Sequence, residues 1–88
     1  MKISFSKQFE KQIDSISDST VKELIGKAIQ TIRASSALRE IRNIKKLKGH
    51  KSAYRMRIGN YRIGFYFEKG EVFVSVVAHR KDIYKHFP

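Results

Sequence analysis

Residues 54–84 read YRMRIGNYRIGFYFEKGEVFVSVVAHRKDIY, and their alternation of apolar and polar side chains specifies three antiparallel strands. Residues two apart share a face of a strand, so Tyr54, Met56 and Ile58 point one way and Arg55 and Arg57 the other. Gly59-Asn60 is a two-residue pair of the kind that closes a tight hairpin, because glycine takes φ > 0 without penalty and asparagine tolerates it. The register follows: Ile58 opposite Tyr61, Arg57 opposite Arg62, Met56 opposite Ile63, Arg55 opposite Gly64, Tyr54 opposite Phe65. A second turn at Lys69-Gly70 then predicts Glu68 opposite Glu71, Phe67 opposite Val72, Phe65 opposite Val74 and Ile63 opposite Val76. On the other face the same register puts Tyr66 with Phe73, Gly64 with Ser75 and Arg62 with Val77. One face is apolar throughout, and the other is mixed and cationic. Like charges directly opposite on a sheet destabilise it, so Arg57 facing Arg62 suggests an anion site, with Gly64 and Ser75 as a shallow floor where a phosphate approaches the backbone.

Upstream, Lys2 to Phe5 alternates as a short strand that adds to the sheet. Ser6 is placed to cap a helix in which Phe9, Ile13 and Ile16 continue an apolar stripe from Phe5. Thr20 and Glu23 have capping-box spacing, and Val21, Leu24, Ile25, Ala28, Ile29 and Ile32 keep to one face of a second helix. The two helices are expected to form an antiparallel hairpin over the apolar sheet face. From Leu38 to Gly49 the apolar residues Ile41, Ile44 and Leu47 recur every third position, which suits a tight helical turn or an irregular connection. The expected fold is thus α+β, in the order strand, helix, helix, strand, strand, strand, as a single domain spanning residues 1–88.

Charge narrows the partner. A net charge of +11, from 19 basic and 8 acidic side chains, points to a polyanion, nucleic acid first. Arg39, Arg42, Lys45, Lys46, Lys48 and Lys51 put six cations within thirteen residues, extending the basic surface of the arginine strands. There is no cysteine, hence no disulfide framework, no thiolate nucleophile and no cysteine-based zinc site. His79, Asp82 and His86 match no metal-ligand spacing and sit among Arg80, Lys81 and Lys85, which repel a divalent ion. No apolar run of signal-peptide or membrane-spanning length is present. No cofactor is expected, and no membrane partner; the cytoplasm is the expected location. What remains is a basic surface with tyrosines and a histidine, a set suited to metal-free RNA cleavage through attack of the 2′-hydroxyl on the neighbouring phosphate. Guanidinium groups supply charge stabilisation but remain protonated, so proton transfer falls to Tyr84 or to His79, histidine being a common general acid or base.

Taken together, Lys46-Leu47-Lys48-Gly49, Tyr54-Arg55-Met56-Arg57-Ile58-Gly59, Asn60-Tyr61-Arg62-Ile63 and the closing His79-Arg80-Lys81-Asp82-Ile83-Tyr84, in this order, resemble the RelE/ParE superfamily of bacterial and archaeal toxins. The ending HRKDIY is similar to the RelE branch. The resemblance implies an mRNA endonuclease that enters the ribosomal A site, cuts the message there, and is neutralised by an antitoxin in a hetero-oligomer. It implies a catalytic set of Arg57, Arg62, Arg80 and Tyr84, with Arg55, Lys46, Lys48, Lys51 and His79 for RNA and ribosome contact. Arg55 and Arg57 stand where RelE-type toxins commonly have lysines, which favours phosphate clamping over a general-base role. Strict alternation, however, puts His79 on the arginine face and Arg80 on the core face. Two other readings remain open: a ParE-like protein that binds DNA gyrase without cutting RNA, and a homologue that only binds antitoxin.

Overall fold

The computed structural model describes all residues, Met1–Pro88. In chain order it contains β1 (Lys2–Phe5), α1 (Lys7–Ser15), α2 (Ser19–Ala34), a 3-10 turn at Leu38–Glu40, β2 (Ile44–Lys46), β3 (Ala53–Ile58), β4 (Tyr61–Glu68), β5 (Glu71–His79) and a one-turn helix α3 (Ile83–His86). The strands form one sheet in the order β1-β5-β4-β3-β2. β1 lies parallel to β5, while the other pairs are antiparallel, so the sheet is mixed. Although the sheet, expected to be antiparallel, is mixed because β1 runs parallel to β5, the expected α+β class and the strand-helix-helix-strand-strand-strand order hold. To them the fold adds β2, an edge strand inside the basic run, and α3.

The β3–β4 hairpin has the predicted register at every pair from Tyr54↔Phe65 to Ile58↔Tyr61. Gly59 closes it with φ 58°, a left-handed conformation in which a side chain is strained. Between β4 and β5 the four pairs Glu68↔Glu71, Phe67↔Val72, Tyr66↔Phe73 and Phe65↔Val74 also stand as predicted. The next pair is Gly64↔Val76, because Ser75 is bulged out of the ladder. Beyond it Ile63 faces Val77, Arg62 faces Ala78 and Tyr61 faces His79, one residue later than strict alternation requires. A bulge of one residue exchanges the two faces of everything that follows.

Polar side chains of α1 hold this bulge. β1 stops at Phe5, which leaves the outer edge of β5 beyond Val74 without a strand partner. The backbone N–H of Ser6 donates to Val74 O at 2.9 Å, and Ser6 Oγ donates to Ser75 O. One turn and a half further on, Gln12 Oε1 accepts from Val77 N–H at 2.8 Å. Ser6 also caps α1 by accepting from Phe9 N–H, as its position predicts. For α2 the cap is Asp18, accepting from Thr20 and Val21 N–H, and not the predicted Thr20; the helix starts at Ser19, two residues too early for Thr20 to serve.

The principal core lies between the helices and one sheet face. Phe9, Ile25, Ala28 and Ile32 meet Met56, Ile63, Phe65, Val72, Val74 and Val77 there. On the opposite face Ile83 of α3 and the following Phe87 pack against Leu47, Ala53 and Val76 in a second cluster. The Phe87 ring lies over Gly64, where any Cβ would fall 2.5–2.8 Å from ring carbons. The glycine floor expected to receive a phosphate is therefore occupied by the protein's own aromatic ring.

Removing the Gln12 amide tests the origin of the bulge. Gln12→Ala leaves the Val77 N–H without its acceptor, which costs on the order of 1–3 kcal/mol for a buried group. Denaturant unfolding is expected to show a loss in this range, together with selectively faster amide hydrogen exchange at Val77.

Candidate functional site

On the face carrying α3, odd-numbered residues of β3 alternate outward beside even-numbered residues of β4, so Arg55 and Arg57 adjoin Gly64 and Arg62. β2 extends this surface by one strand, with Lys45 paired to Arg55. Asn43, which precedes β2, has φ 65°, a left-handed conformation that asparagine tolerates, and its carbonyl accepts from Arg57 N–H at 2.9 Å. From the other side α3 presents Tyr84, 75 % exposed, while its neighbours Ile83 and Phe87 anchor the turn. Asn43, Ile44, Lys45, Arg55, Arg57, Arg62 and Tyr84 thereby line an open groove of about 380 Å³. A second groove of about 390 Å³, between α1 and α2, is lined mainly by Phe5, Phe9, Ile13, Ile25 and Ile29 and offers no comparable reactive set.

Four cations without an intervening carboxylate would drive one another apart unless anchored. Arg62 is held by two backbone carbonyls of the hairpin turn, its Nη1 donating to Gly59 O and to Tyr61 O, each at 2.9 Å. Burial, followed by the charges of Arg57, Arg80 and Arg55, lowers its pKa from the ordinary value. It is a guanidinium with surplus positive potential around it, a condition that an anion relieves. Tyr84 responds in the complementary way. Its ring lies beside Arg55, whose guanidinium carbon is 4.9 Å from the ring centroid. Its phenol is held below the usual tyrosine value by hydrogen bonding to Arg55 and by the Arg55 charge, with lesser contributions from Lys45 and Arg62; desolvation opposes them.

Of the predicted catalytic residues, Arg57, Arg62 and Tyr84 meet in this groove together with Arg55. Arg80 was expected on the core face under strict alternation. The Ser75 bulge reverses that, because Ala78 now faces Arg62, Arg80 follows Ala78 in phase, and its charge reaches Arg62. The same bulge removes His79 from the arginine face. Half-buried, His79 packs edge-on against Tyr61 with ring centroids 5.6 Å apart, and its Nδ1 accepts from Lys81 N–H at 3.2 Å. It does not line the groove and lies off the arginine face on which it was expected. Lys46 pairs with Tyr54 and so projects from the other face of β2, while Lys48 and Lys51 lie on the β2–β3 loop, outside the groove. Three groove residues, Asn43, Ile44 and Lys45, were not among the expected site residues, because the three-residue spacing of Ile41, Ile44 and Leu47 hid the strand that positions them. The alternation of Ile44 and Lys45 against Met56 and Arg55 is the signal that would have found it.

The family model for the ParE toxin of type II toxin-antitoxin system, parDE, matches residues 3–84. Toxin RelE3 of Methanocaldococcus jannaschii is 36% identical over 89 residues, covering 100% of both chains. The chain belongs to the RelE/ParE toxin superfamily. Within it the RelE-like branch is indicated by that relative and by a chain of the RelB-RelE antitoxin-toxin complex from Methanococcus jannaschii, which superposes with a TM-score of 0.80 at 34% identity, covering 96% of this chain and 98% of the other. A chain of the intact Escherichia coli RelBE toxin-antitoxin complex shares the fold, with a TM-score of 0.69 at 23% identity over 89% and 94% of the two chains.

In this RelE-like toxin the arginine at position 55 does something a lysine does poorly, since a planar guanidinium stacks on an aromatic ring. The consequence is measurable by titration. Among the protein's four tyrosines, Tyr84 is expected to ionise first, below the ordinary value near 10. Tyrosinate absorbance followed against pH should lose its earliest transition in Tyr84→Phe, and Arg55→Ala should shift that transition to higher pH.

Proposed function

We propose that this toxin is a ribosome-dependent mRNA endonuclease that cuts the message in the A site by metal-independent attack of the 2′-hydroxyl. The observation that carries the reading is the groove itself, a cluster of fixed cations beside an acidified phenol with no carboxylate lining it. Arg57 and Arg62, with the Arg80 charge behind them, suit the negative charge that develops on a pentacoordinate phosphorus. Tyr84 suits the removal of the 2′-hydroxyl proton, because a lowered pKa makes the phenolate form more accessible. No three His, Asp or Glu side chains converge as metal ligands, and the groove cations repel a divalent ion, so charge stabilisation is assigned to the guanidinium groups. An open groove of this kind orients a flexible RNA poorly by itself. The ribosome is the natural supplier of that positioning, worth several kcal/mol in a well-oriented reaction.

Relatives of known structure include chains from RelB-RelE complexes, and a net charge of +11 favours an acidic antitoxin as the partner here. Electrostatic steering makes such an association fast and sensitive to salt. A toxin acting on ribosomes works in the cytoplasm, and no helix is long and apolar enough to cross a membrane. A second reading, inhibition of DNA gyrase, takes its support from the ParE name of the matching family model.

Primer extension on mRNA in a purified translation system separates the two. Ribosome-dependent cuts within codons, insensitive to chelator levels that leave ribosomes intact, are expected. Intact message with relaxed supercoiling would favour the gyrase reading. Arg62→Ala is expected to slow cleavage by roughly 10²–10³-fold, the cost of one preorganised donor. Its stability should stay within about 0.5 kcal/mol of the parent, because an exposed pair of hydrogen bonds is lost while a cross-strand repulsion is relieved. Tyr84→Phe should be slow with ribosome binding retained; full activity in Tyr84→Phe with failure of Tyr84→Ala would mean that the ring acts by stacking.

A further inference from the structure

Among the groove's cations one is chemically unlike the rest. Arg55, Arg57 and Arg62 are guanidinium groups, which hold their protons throughout any ordinary pH range. Lys45 is the single amine lining the groove. It is placed there by β2, where it pairs with Arg55. Arg55 in turn stacks on Tyr84, so amine, guanidinium and phenol follow one another along one surface. Lys45 is exposed and takes part in no ion pair; the pairs present are Lys2–Glu71, Lys27–Glu23 and Lys85–Asp82. Its three N–H donors are therefore uncommitted, and no neighbouring carboxylate competes with a phosphate ester for them.

We propose that Lys45 is the catalytic acid that protonates the departing 5′-oxygen. This assignment rests on the nuclease reading above. The 2′-oxygen bonds to phosphorus as its proton passes to the Tyr84 phenolate. The P–O5′ bond breaks, its electron pair remains on the 5′-oxygen, and the Lys45 ammonium gives that oxygen a proton. The products are a 2′,3′-cyclic phosphate and a 5′-hydroxyl, with Tyr84 left as a phenol and Lys45 as a neutral amine until solvent returns both to their starting forms. An alkoxide is a poor leaving group unless it is protonated as it departs, so an acid at this position acts on the transition state and not on binding.

A change of leaving atom distinguishes a proton donor from a phosphate clamp. A message carrying sulfur in place of the scissile 5′-oxygen expels a thiolate, which needs no proton. Programmed ribosomes are supplied with this message or the ordinary one, and single-turnover cleavage is measured for the parent, Lys45→Ala and Lys45→Arg. On the ordinary message Lys45→Ala is expected to be about 10²–10⁴-fold slower than the parent, the usual worth of a general acid. Lys45→Arg should be comparably slow although it keeps the charge. On the sulfur-substituted message all three proteins should cleave at similar rates. An equal loss on both messages, or undiminished cleavage of the ordinary message by Lys45→Ala, would overturn the assignment while leaving the nuclease reading intact. Failure of the parent to cut either message would overturn the nuclease reading, and this proposal with it.

Discussion

The single residue bulged at Ser75 governs what this fold can do, because it decides which side chains of the last strand share a face with the arginines. Before it, Val72 and Val74 enter the principal core; after it, Val77 continues that core while Val76 turns to the opposite face and supports Ile83 and Phe87. Without the extra residue, Arg80 would project toward the helices and His79 toward Arg62. A bulge sacrifices ladder hydrogen bonds, and an interior segment cannot leave its polar groups unpaired. Here α1 satisfies them, with Ser6 and Gln12 bonded to the backbone of Ser75 and Val77. The N-terminal helix thus contributes to the site from the far edge of the sheet, without touching it.

The electrostatic problem is solved by the same economy of backbone. Arg57 and Arg62 face each other directly, an arrangement that sheets ordinarily avoid. The hairpin turn offers two carbonyls to Arg62, and Tyr84 offers its ring to Arg55, so each of these guanidinium groups has a partner that does not neutralise it. A carboxylate would have stabilised the cluster further and would have filled the position an anion needs. The same positive potential contributes to both depressed pKa values, after burial in the case of Arg62 and after hydrogen bonding to Arg55 in the case of Tyr84. In the first it disfavours a cation, and in the second it favours an anion.

The β3–β4 hairpin was legible in the sequence down to its register, because Tyr54, Met56 and Ile58 alternate cleanly with Arg55 and Arg57 and the Gly59-Asn60 turn leaves only one pairing in phase. The groove cations of those two strands, and Tyr84, followed from it. The bulge was not legible in the same way. Ser75 is followed by Val76, Val77 and Ala78, small apolar side chains that suit either face, so alternation loses its power to fix phase where the bulge occurs. The adjacent pair Val76-Val77 was the available hint. β2 was hidden for a different reason: three residues are too few for a period to emerge, and the apolar spacing around them imitates a helical turn. Lys45 was therefore counted as part of a charged run, when its face of β2 separates it from Lys46.

The short last helix could not be read from propensity either, since a single turn has no stability of its own. It exists because Ile83 and Phe87, four residues apart, both enter the second core cluster, and because Gly64 leaves room for the Phe87 ring. Tyr84 is placed beside Arg55 only through these two anchors. The arginines of β3 and β4 sit on strands paired along their length, whereas the phenol is held by the packing of Ile83 and Phe87 in the second cluster. The groove accordingly combines a cationic half built on the sheet with a phenolic half placed by α3. The two halves meet across the Arg55–Tyr84 contact.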